Sequence, residues 1–199
     1  MNLEEIKAEK ADLRVKFLAA RKAMSSREVE EKSRIIISRL IKSSEFEQAN
    51  MIHCFLSIGA RHEVDTHLLI RDQIKKGMRV AIPVTDLGRK ILIHSEIKGL
   101  DDLEVGTFGI LEPKQGNLLP VSLEEIDLIV VPGVAFDSGG NRIGYGAGFY
   151  DGFLRNISSP KIALAYEWQV VPKIRPTPTD VAVDAIVTEE RYYDCASIR

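Results

Sequence analysis

The sequence predicts an α/β fold of three layers, in which a largely parallel central sheet is flanked by helices and preceded by an N-terminal helical hairpin. Three observations carry that expectation. Short apolar runs that suit strands alternate with segments of helical period. The run from Asp127 to Val134 is almost continuously apolar, as a strand covered on both faces must be. The opening forty residues hold apolar side chains at helical spacing, interrupted once by a helix-start signal.

In order along the chain, Leu3, Ile6, Leu13, Phe17, Ala20 and Met24 recur at helical spacing among good helix formers and predict one long helix. Ser25-Ser26-Arg27-Glu28 is a capping-box pattern that opens a second helix, with Val29, Ile36, Leu40 and Ile41 on its apolar stripe. Met51 to Ser57 suits a strand and Gly59 to Glu63 a loop. Asp65 or Thr66 then caps a helix that runs to Lys76, with Gly77 as the residue after its C-cap. Arg79 to Val84 and Lys90 to Ser95 read as strands around the turn Thr85-Asp86-Leu87-Gly88. Asp101 to Pro120 reads as loop with at most a short strand. A helix begins at Gly148 and runs to Leu154, and strands follow at Lys161 to Tyr166 and Ala185 to Thr188. No repeat, low-complexity segment or linker divides the chain, so one domain over residues 1–199 is expected.

Composition narrows the function classes. The 199 residues are 45% apolar and 28% charged, with 27 Lys plus Arg against 29 Asp plus Glu and a net charge of −2. A protein that holds nucleic acid or an anionic membrane through bulk charge needs a basic excess, and none is present. Cys54 lies in an apolar run and Cys195 near the C-terminus, which supports neither a disulfide framework nor a Cys-based zinc site. The opening Met-Asn-Leu-Glu-Glu lacks a basic segment followed by an apolar one, and no apolar run approaches the roughly 18 residues of a membrane span. A soluble, unprocessed cytoplasmic protein is the expectation. His53, His62, His67 and His94 show no metal-ligand spacing and receive no role.

The chemistry concentrates after the buried strand, in Pro132-Gly-Val-Ala-Phe-Asp-Ser-Gly-Gly-Asn-Arg-Ile-Gly-Tyr-Gly-Ala-Gly-Phe-Tyr-Asp151. Five of the 14 glycines fall between positions 139 and 148. Ligands of open α/β sheets sit beyond the carboxyl ends of strands, and glycines there let backbone N–H groups approach a phosphate. The spacing is neither a Walker A loop nor the Gly-x-Gly-x-x-Gly of dinucleotide folds. A phosphate cradle and a purely structural glycine-rich turn both remain open on these residues alone.

This stretch resembles the signature of the 5-formyltetrahydrofolate cyclo-ligase family, also called methenyltetrahydrofolate synthetases. Lys10-Ala-Asp-Leu-Arg14, Glu63-Val-Asp-Thr66, Phe108-Gly-Ile-Leu-Glu-Pro113 and Asp180-Val-Ala-Val-Asp184 resemble further family segments in the same order. The resemblance spans nearly the whole chain. It implies a ligase that uses ATP as co-substrate and Mg²⁺ as cofactor to cyclise 5-formyltetrahydrofolate to 5,10-methenyltetrahydrofolate, releasing ADP and phosphate. The route it implies passes through a phosphorylated formyl group, an imidate phosphate.

The resemblance also implies site residues. Lys10, Arg14, Arg142, Ile143, Gly144, Tyr145, Gly146, Ala147, Gly148, Phe149 and Tyr150 would bind ATP. Lys10 and Arg14 share a helix face four residues apart, with Lys7 extending the stripe; such a pair alone is far more often a solvated face, and only the matched Lys-x-x-Leu-Arg favours ATP contact. Arg142 has a salt bridge inside the loop as its alternative. Leu56, Ile58, Glu63 and Phe149 would bind the folate, the Glu63 carboxylate accepting hydrogen bonds from the amino-pyrimidinone edge of the pterin. Its alternative is a loop residue beside the helix that starts near Thr66, and for Phe149 and Tyr150 the alternative is core packing. Asp151 and Asp180 match the family's Mg²⁺ positions, hard oxygen donors of the kind that ion takes; each alone would serve as a cap or surface charge. No residue is assigned as catalytic acid, base or nucleophile. Expected partners are the two small-molecule substrates, with no nucleic acid and no membrane, in a monomer or weak homodimer.

The chain departs from the family pattern inside the loop. Tyr145 stands where most members carry Arg or Lys, Ala147 where a basic residue is frequent, and Thr179 where His is common. Each lost charge-assisted contact to a triphosphate weakens binding by on the order of 1 to 3 kcal/mol. Two other readings therefore stay open beside the ligase: a member that binds nucleotide or pterin without turnover, and an α/β enzyme acting on a sugar phosphate or acyl-CoA.

Overall fold

Strand β1 (Met51–Cys54) alternates side chains between two apolar layers, Ile52 and Cys54 toward one and Met51 toward the other. That alternation organises the computed structural model, which describes residues 2–114 and 116–199. Met1 at the chain start and Gln115 in the expected Asp101–Pro120 loop lie outside the described residues.

Around β1 lie β2 (Arg79–Asp86), β3 (Ile91–Ile97), β6 (Leu128–Val131), β9 (Lys161–Leu164), β11 (Ala185–Val187) and β12 (Tyr192–Asp194). Their order in the sheet is β12-β11-β9-β6-β1-β2-β3. Neighbours from β11 through β2 pair parallel, and the two edge strands, β12 and β3, pair antiparallel. The first crossover leads from β1 to β2 on one side, and the chain then returns to lay β6 against the other side of β1. Strand order thus reverses between β1 and β6. A crevice opens beyond the carboxyl ends of two strands at such a point, because the connections leave in opposite directions.

One face of the sheet is covered by α2 (Ser26–Leu40), α3 (Ser44–Glu47) and α4 (His67–Lys75), through Ile36, Leu40, Phe46, Leu69 and Ile70. The other is covered by α5 (Phe149–Leu154) with Phe153, Leu154 and the nearby Ile157. These are the three expected layers. The first helix, α1 (Leu3–Lys22), packs elsewhere: its Phe17 clusters with Val134 and with Ala135 and Ile143 of a small second sheet. That sheet consists of β7 (Ala135–Asp137), β8 (Arg142–Ile143) and β10 (Val170–Val171), in the order β10-β7-β8. The two N-terminal helices follow each other across a short turn as expected, each against a different sheet.

Local signals explain the boundaries. Asn2 and Ser25 cap α1 and α2 with reciprocal capping boxes to Glu5 and Glu28. At α4 the N-cap is Thr66, but the side chain that accepts the orphan N–H of His67 belongs to Asp65, 3.0 Å away. Gly77 takes φ +87 after α4. The expected strand Asp127–Val134 is ordered as a strand only to Val131, because Pro132 and Gly133 break the run before β7. The expected loop at Asp101–Pro120 contains a two-stranded ladder, β4 (Leu103–Val105) with β5 (Leu111–Pro113). Among the described residues no helix is long and apolar enough to cross a membrane. Cys54 and Cys195 are both buried free thiols.

Candidate functional site

A cleft of about 890 Å³ lies beyond the carboxyl ends of β1 and β6, where the strand order reverses. Phe55, Leu56, Ile58 and Glu63 come from the segment after β1, and Pro132 with Arg142 to Gly152 from the segment after β6. Lys7, Lys10 and Arg14 of α1 close one side, and Thr177, Thr179 and Asp180 another. Every residue singled out in the sequence for nucleotide, folate or metal lines this one cleft.

Three cations on α1 hold the cleft walls. Lys10, only 9% exposed, pairs with Asp180. One turn on, Arg14 Nε donates to the Gly144 carbonyl at 2.7 Å. Two turns further, Arg21 Nε donates to the Arg61 carbonyl at 2.7 Å, and its Nη2 donates to the Tyr145 hydroxyl. The buried residues of α1 are Lys10, Phe17 and Arg21, so the face it turns inward is chiefly cationic. Among the apolar residues at helical spacing only Phe17 is buried, and Leu3 and Ala20 are exposed. Lys7 sits more openly and pairs with Glu4 at 2.8 Å.

The glycine-rich loop between β8 and α5 is held at its ends and open in its middle. Gly146 takes φ +101 beside the Arg14 guanidinium, and Gly148 takes φ +76 as the residue before α5, conformations that L side chains avoid. Among the described residues the N–H groups of 144 to 148 donate to no protein acceptor. Lys10 and Arg14 stand across from them. Backbone donors without an acceptor of their own, facing two cations, suit an oxyanion-rich ligand. Arg142 is buried, donates to the Val181 carbonyl, and pairs with Asp151 at 3.0 Å, the ion pair that stood as its alternative reading.

Two carboxylates border the same space. Asp151 Oδ1 accepts from Arg142 and from the Val181 N–H at 3.1 Å. Asp180 Oδ2 accepts from Lys10 and from the Thr177 N–H. In each, the second oxygen carries no hydrogen bond among the described residues. No group of three or more His, Cys, Asp or Glu among them could hold a metal by itself. Two hard donors with one oxygen spare apiece fit Mg²⁺, which keeps waters and takes its remaining ligands from substrate phosphates.

Glu63 forms the third feature. The chain before it makes a tight 3₁₀ turn at Gly59–Arg61, and His62 follows with φ 49, turning the carboxylate back so that its Oε2 accepts the Ile58 N–H at 2.6 Å. Its Oε1 accepts from the Tyr145 hydroxyl, and Arg21 Nη2 stands 3.9 Å away. Glu63 is only 7% exposed, so its charge depends on these neighbours. Leu56, Ile58, Phe108 and Ile110 give the cleft apolar walls, and Phe149 lies along the loop side. Tyr150 has a buried hydroxyl without a partner among the described residues.

Arg21, Arg61, Arg155, Phe108 and Thr177 were not among the expected site residues. One signal was available for Arg21: it lies seven residues, two turns, beyond Arg14 and so on the same side of α1. Arg61 and Thr177 sit in loops with no pattern to mark them. A second hollow of about 1070 Å³ lies at the amino ends of β9 and β11. There Lys161 pairs with Asp184 at 3.7 Å and Glu45 accepts from the Tyr192 hydroxyl at 2.7 Å, and none of the residues singled out in the sequence for nucleotide, folate or metal lines it.

The model of the 5-formyltetrahydrofolate cyclo-ligase family matches residues 6–189. A 5-formyltetrahydrofolate cyclo-ligase of Mus musculus is 26% identical over 196 residues, 93% of this chain and 96% of the mouse protein. One from Escherichia coli (strain K12) is 28% identical over 178 residues, 87% of this chain and 97% of its own length. The solved structure of Aquifex aeolicus 5,10-methenyltetrahydrofolate synthetase is 32% identical, with a TM-score of 0.82 over 94% of this chain and 92% of that one. With the family match running through α1, both cleft-forming loops and the strands between them, the chain belongs to the 5-formyltetrahydrofolate cyclo-ligase family of ligases.

Proposed function

We propose that the cleft converts 5-formyltetrahydrofolate to 5,10-methenyltetrahydrofolate at the expense of ATP, with Mg²⁺ bound by Asp151 and Asp180. The observation that carries this reading is the convergence of two cations, five unpaired backbone N–H groups and two half-free carboxylates on one cleft, in a chain of this family. Lys10, Arg14 and the N–H groups of 144 to 148 take the triphosphate, Phe149 and Tyr150 border it, and Arg142 acts by fixing Asp151. Glu63 holds the pterin by its amino-pyrimidinone edge, and Leu56, Ile58 and Phe149 supply apolar contact. When bound, Mg²⁺ neutralises charge on the phosphates.

The chemistry needs a poor leaving group made into a good one. The formyl oxygen forms a bond to the γ-phosphorus while the bond from that phosphorus to the β-bridging oxygen breaks, and ADP departs. N10 then bonds to the formyl carbon and gives up its proton, and the carbon–oxygen bond breaks as phosphate leaves with the former formyl oxygen. Positioning and charge neutralisation are most of what such transfer asks of a protein, which agrees with a cleft rich in fixed donors and without an evident nucleophile.

The protein is further read as a single domain that acts as a monomer or weak homodimer in the cytoplasm, with no nucleic-acid or membrane partner. Purified protein given 5-formyltetrahydrofolate and MgATP is expected to develop the absorbance of the methenyl product. Absence of that signal at high protein concentration overturns the reading. Stabilisation by ATP or folate without product would favour a binding protein, a second reading that the neutral Tyr145 and Ala147 support.

A further inference from the structure

The neutral residue inside the loop has a partner of its own. Tyr145 reaches across the cleft, and its hydroxyl donates to Glu63 Oε1. Its ring lies between two guanidinium groups, Arg61 at 5.0 Å and Arg21 at 5.6 Å from the centroid. A third cation at position 145 would meet both at close range, whereas an aromatic face attracts them. Burial, and then the adjacent Glu63 charge, push the phenol above the usual tyrosine range, so it keeps its proton and acts as a donor. Arg21 donates to the carbonyls of Arg61 and Gly133 and to the Tyr145 hydroxyl and stands 3.9 Å from Glu63, which leaves the Ile58 N–H and the Tyr145 hydroxyl as the close donors to this buried carboxylate.

We propose that the Tyr145 hydroxyl occupies the donor position on Glu63 that the ring N–H groups of the folate fill, so that the glycine-rich loop and the folate compete for one carboxylate. The proposal rests on the folate role of Glu63 given above. In the free protein the loop is pinned twice, at Gly144 by Arg14 and at Tyr145 by Glu63. Arrival of the folate releases the second pin, and Gly146 and Gly148 let the freed segment turn toward the phosphates. Tyr145 is a positioning residue that couples the two ligands. Because coupling is reciprocal, folate tightens nucleotide binding by the same factor that nucleotide tightens folate binding.

Tyr145→Phe keeps the ring between the two arginines and removes the hydroxyl, which is both the donor to Glu63 and the acceptor of Arg21 Nη2. With MgADP as the probe, which allows no turnover, calorimetry on the parent is expected to give three- to ten-fold tighter binding when 5-formyltetrahydrofolate is present, roughly the worth of one hydrogen bond. In Tyr145→Phe that enhancement disappears, and the KM for the folate falls by a similar factor. Equal enhancement in parent and variant, or a folate KM that rises, overturns the proposal. Backbone ¹⁵N order parameters of residues 144–148 separate this from the folate assignment, because they are read without ligand. The variant is expected to show lower order parameters there, and unchanged values remove the pin. Failure of the folate to bind the parent overturns the Glu63 reading instead, whatever the order parameters show.

Discussion

Lys10 and Asp151 each stand on one side of the cleft and carry opposite charge, so substitution at either separates nucleotide from metal effects. Lys10→Ala removes a cation from the phosphate side of the cleft and also unpairs Asp180. It is expected to raise the KM for ATP about ten-fold or more, the worth of one charge-assisted contact, with a smaller effect on the folate. Steady-state kinetics with each substrate varied in turn would check this, and equal constants in variant and parent would remove Lys10 from the site. Asp151→Asn keeps an oxygen for the Arg142 and Val181 donors but loses the charge on the oxygen that faces the cleft. The Mg²⁺ concentration at half-maximal rate is expected to rise, and an unchanged titration would leave Asp151 a purely structural group. Lys10, Arg14 and both Asp residues were legible because they sit inside motifs of fixed spacing. Arg61 was not, since its place depends on a turn closed by His62 in a left-handed conformation. Nor did the sequence reveal that Asp137 is the hub of the glycine stretch: one of its oxygens accepts the N–H groups of Gly139 and Asn141 at 3.0 Å each, and the other that of Ile174 at 2.7 Å.

Among the elements, α5 is the one whose seat matters most, because it carries Tyr150 and Asp151 to the cleft yet is only six residues long. It is seated by Phe153, whose ring lies 4.7 Å from that of His53 on β1 and 4.1 Å from that of His94 on β3. The two imidazoles bond to each other at 3.1 Å. Burial, with the neighbouring His94 second, holds His53 well below the ordinary histidine value, and burial lowers His94 to about 4. The unfolded chain therefore takes up protons near pH 6.5 while the folded chain does not. Stability is full above about pH 6.5 and falls as the pH drops from there toward 4. Urea midpoints measured across this window are expected to decline, and His94→Leu to flatten part of the decline; an identical slope in the variant would show that other groups set it. The long helices and the buried strands were legible from period and length. The two- and three-residue strands of the small sheet were not, because a period of two needs more residues than β8 and β10 possess.

At the scale of the molecule, topology explains why distant motifs meet. Strand order reverses between β1 and β6, so the segments that follow those strands open onto one crevice, and α1 lies across it with three cations at positions 10, 14 and 21. Sequence order alone could name the motifs but not their meeting, since Glu63 and Tyr145 stand 82 residues apart. A near-neutral chain thus hides a strongly polarised cleft. The central claim is that this cleft couples phosphoryl transfer from ATP to ring closure of the folate. The most direct measurement is the ratio of ADP to 5,10-methenyltetrahydrofolate formed over the same interval from MgATP and 5-formyltetrahydrofolate. One ADP for each methenyl product is expected throughout the reaction, whereas product without ADP, or ADP released without product, would contradict that coupling.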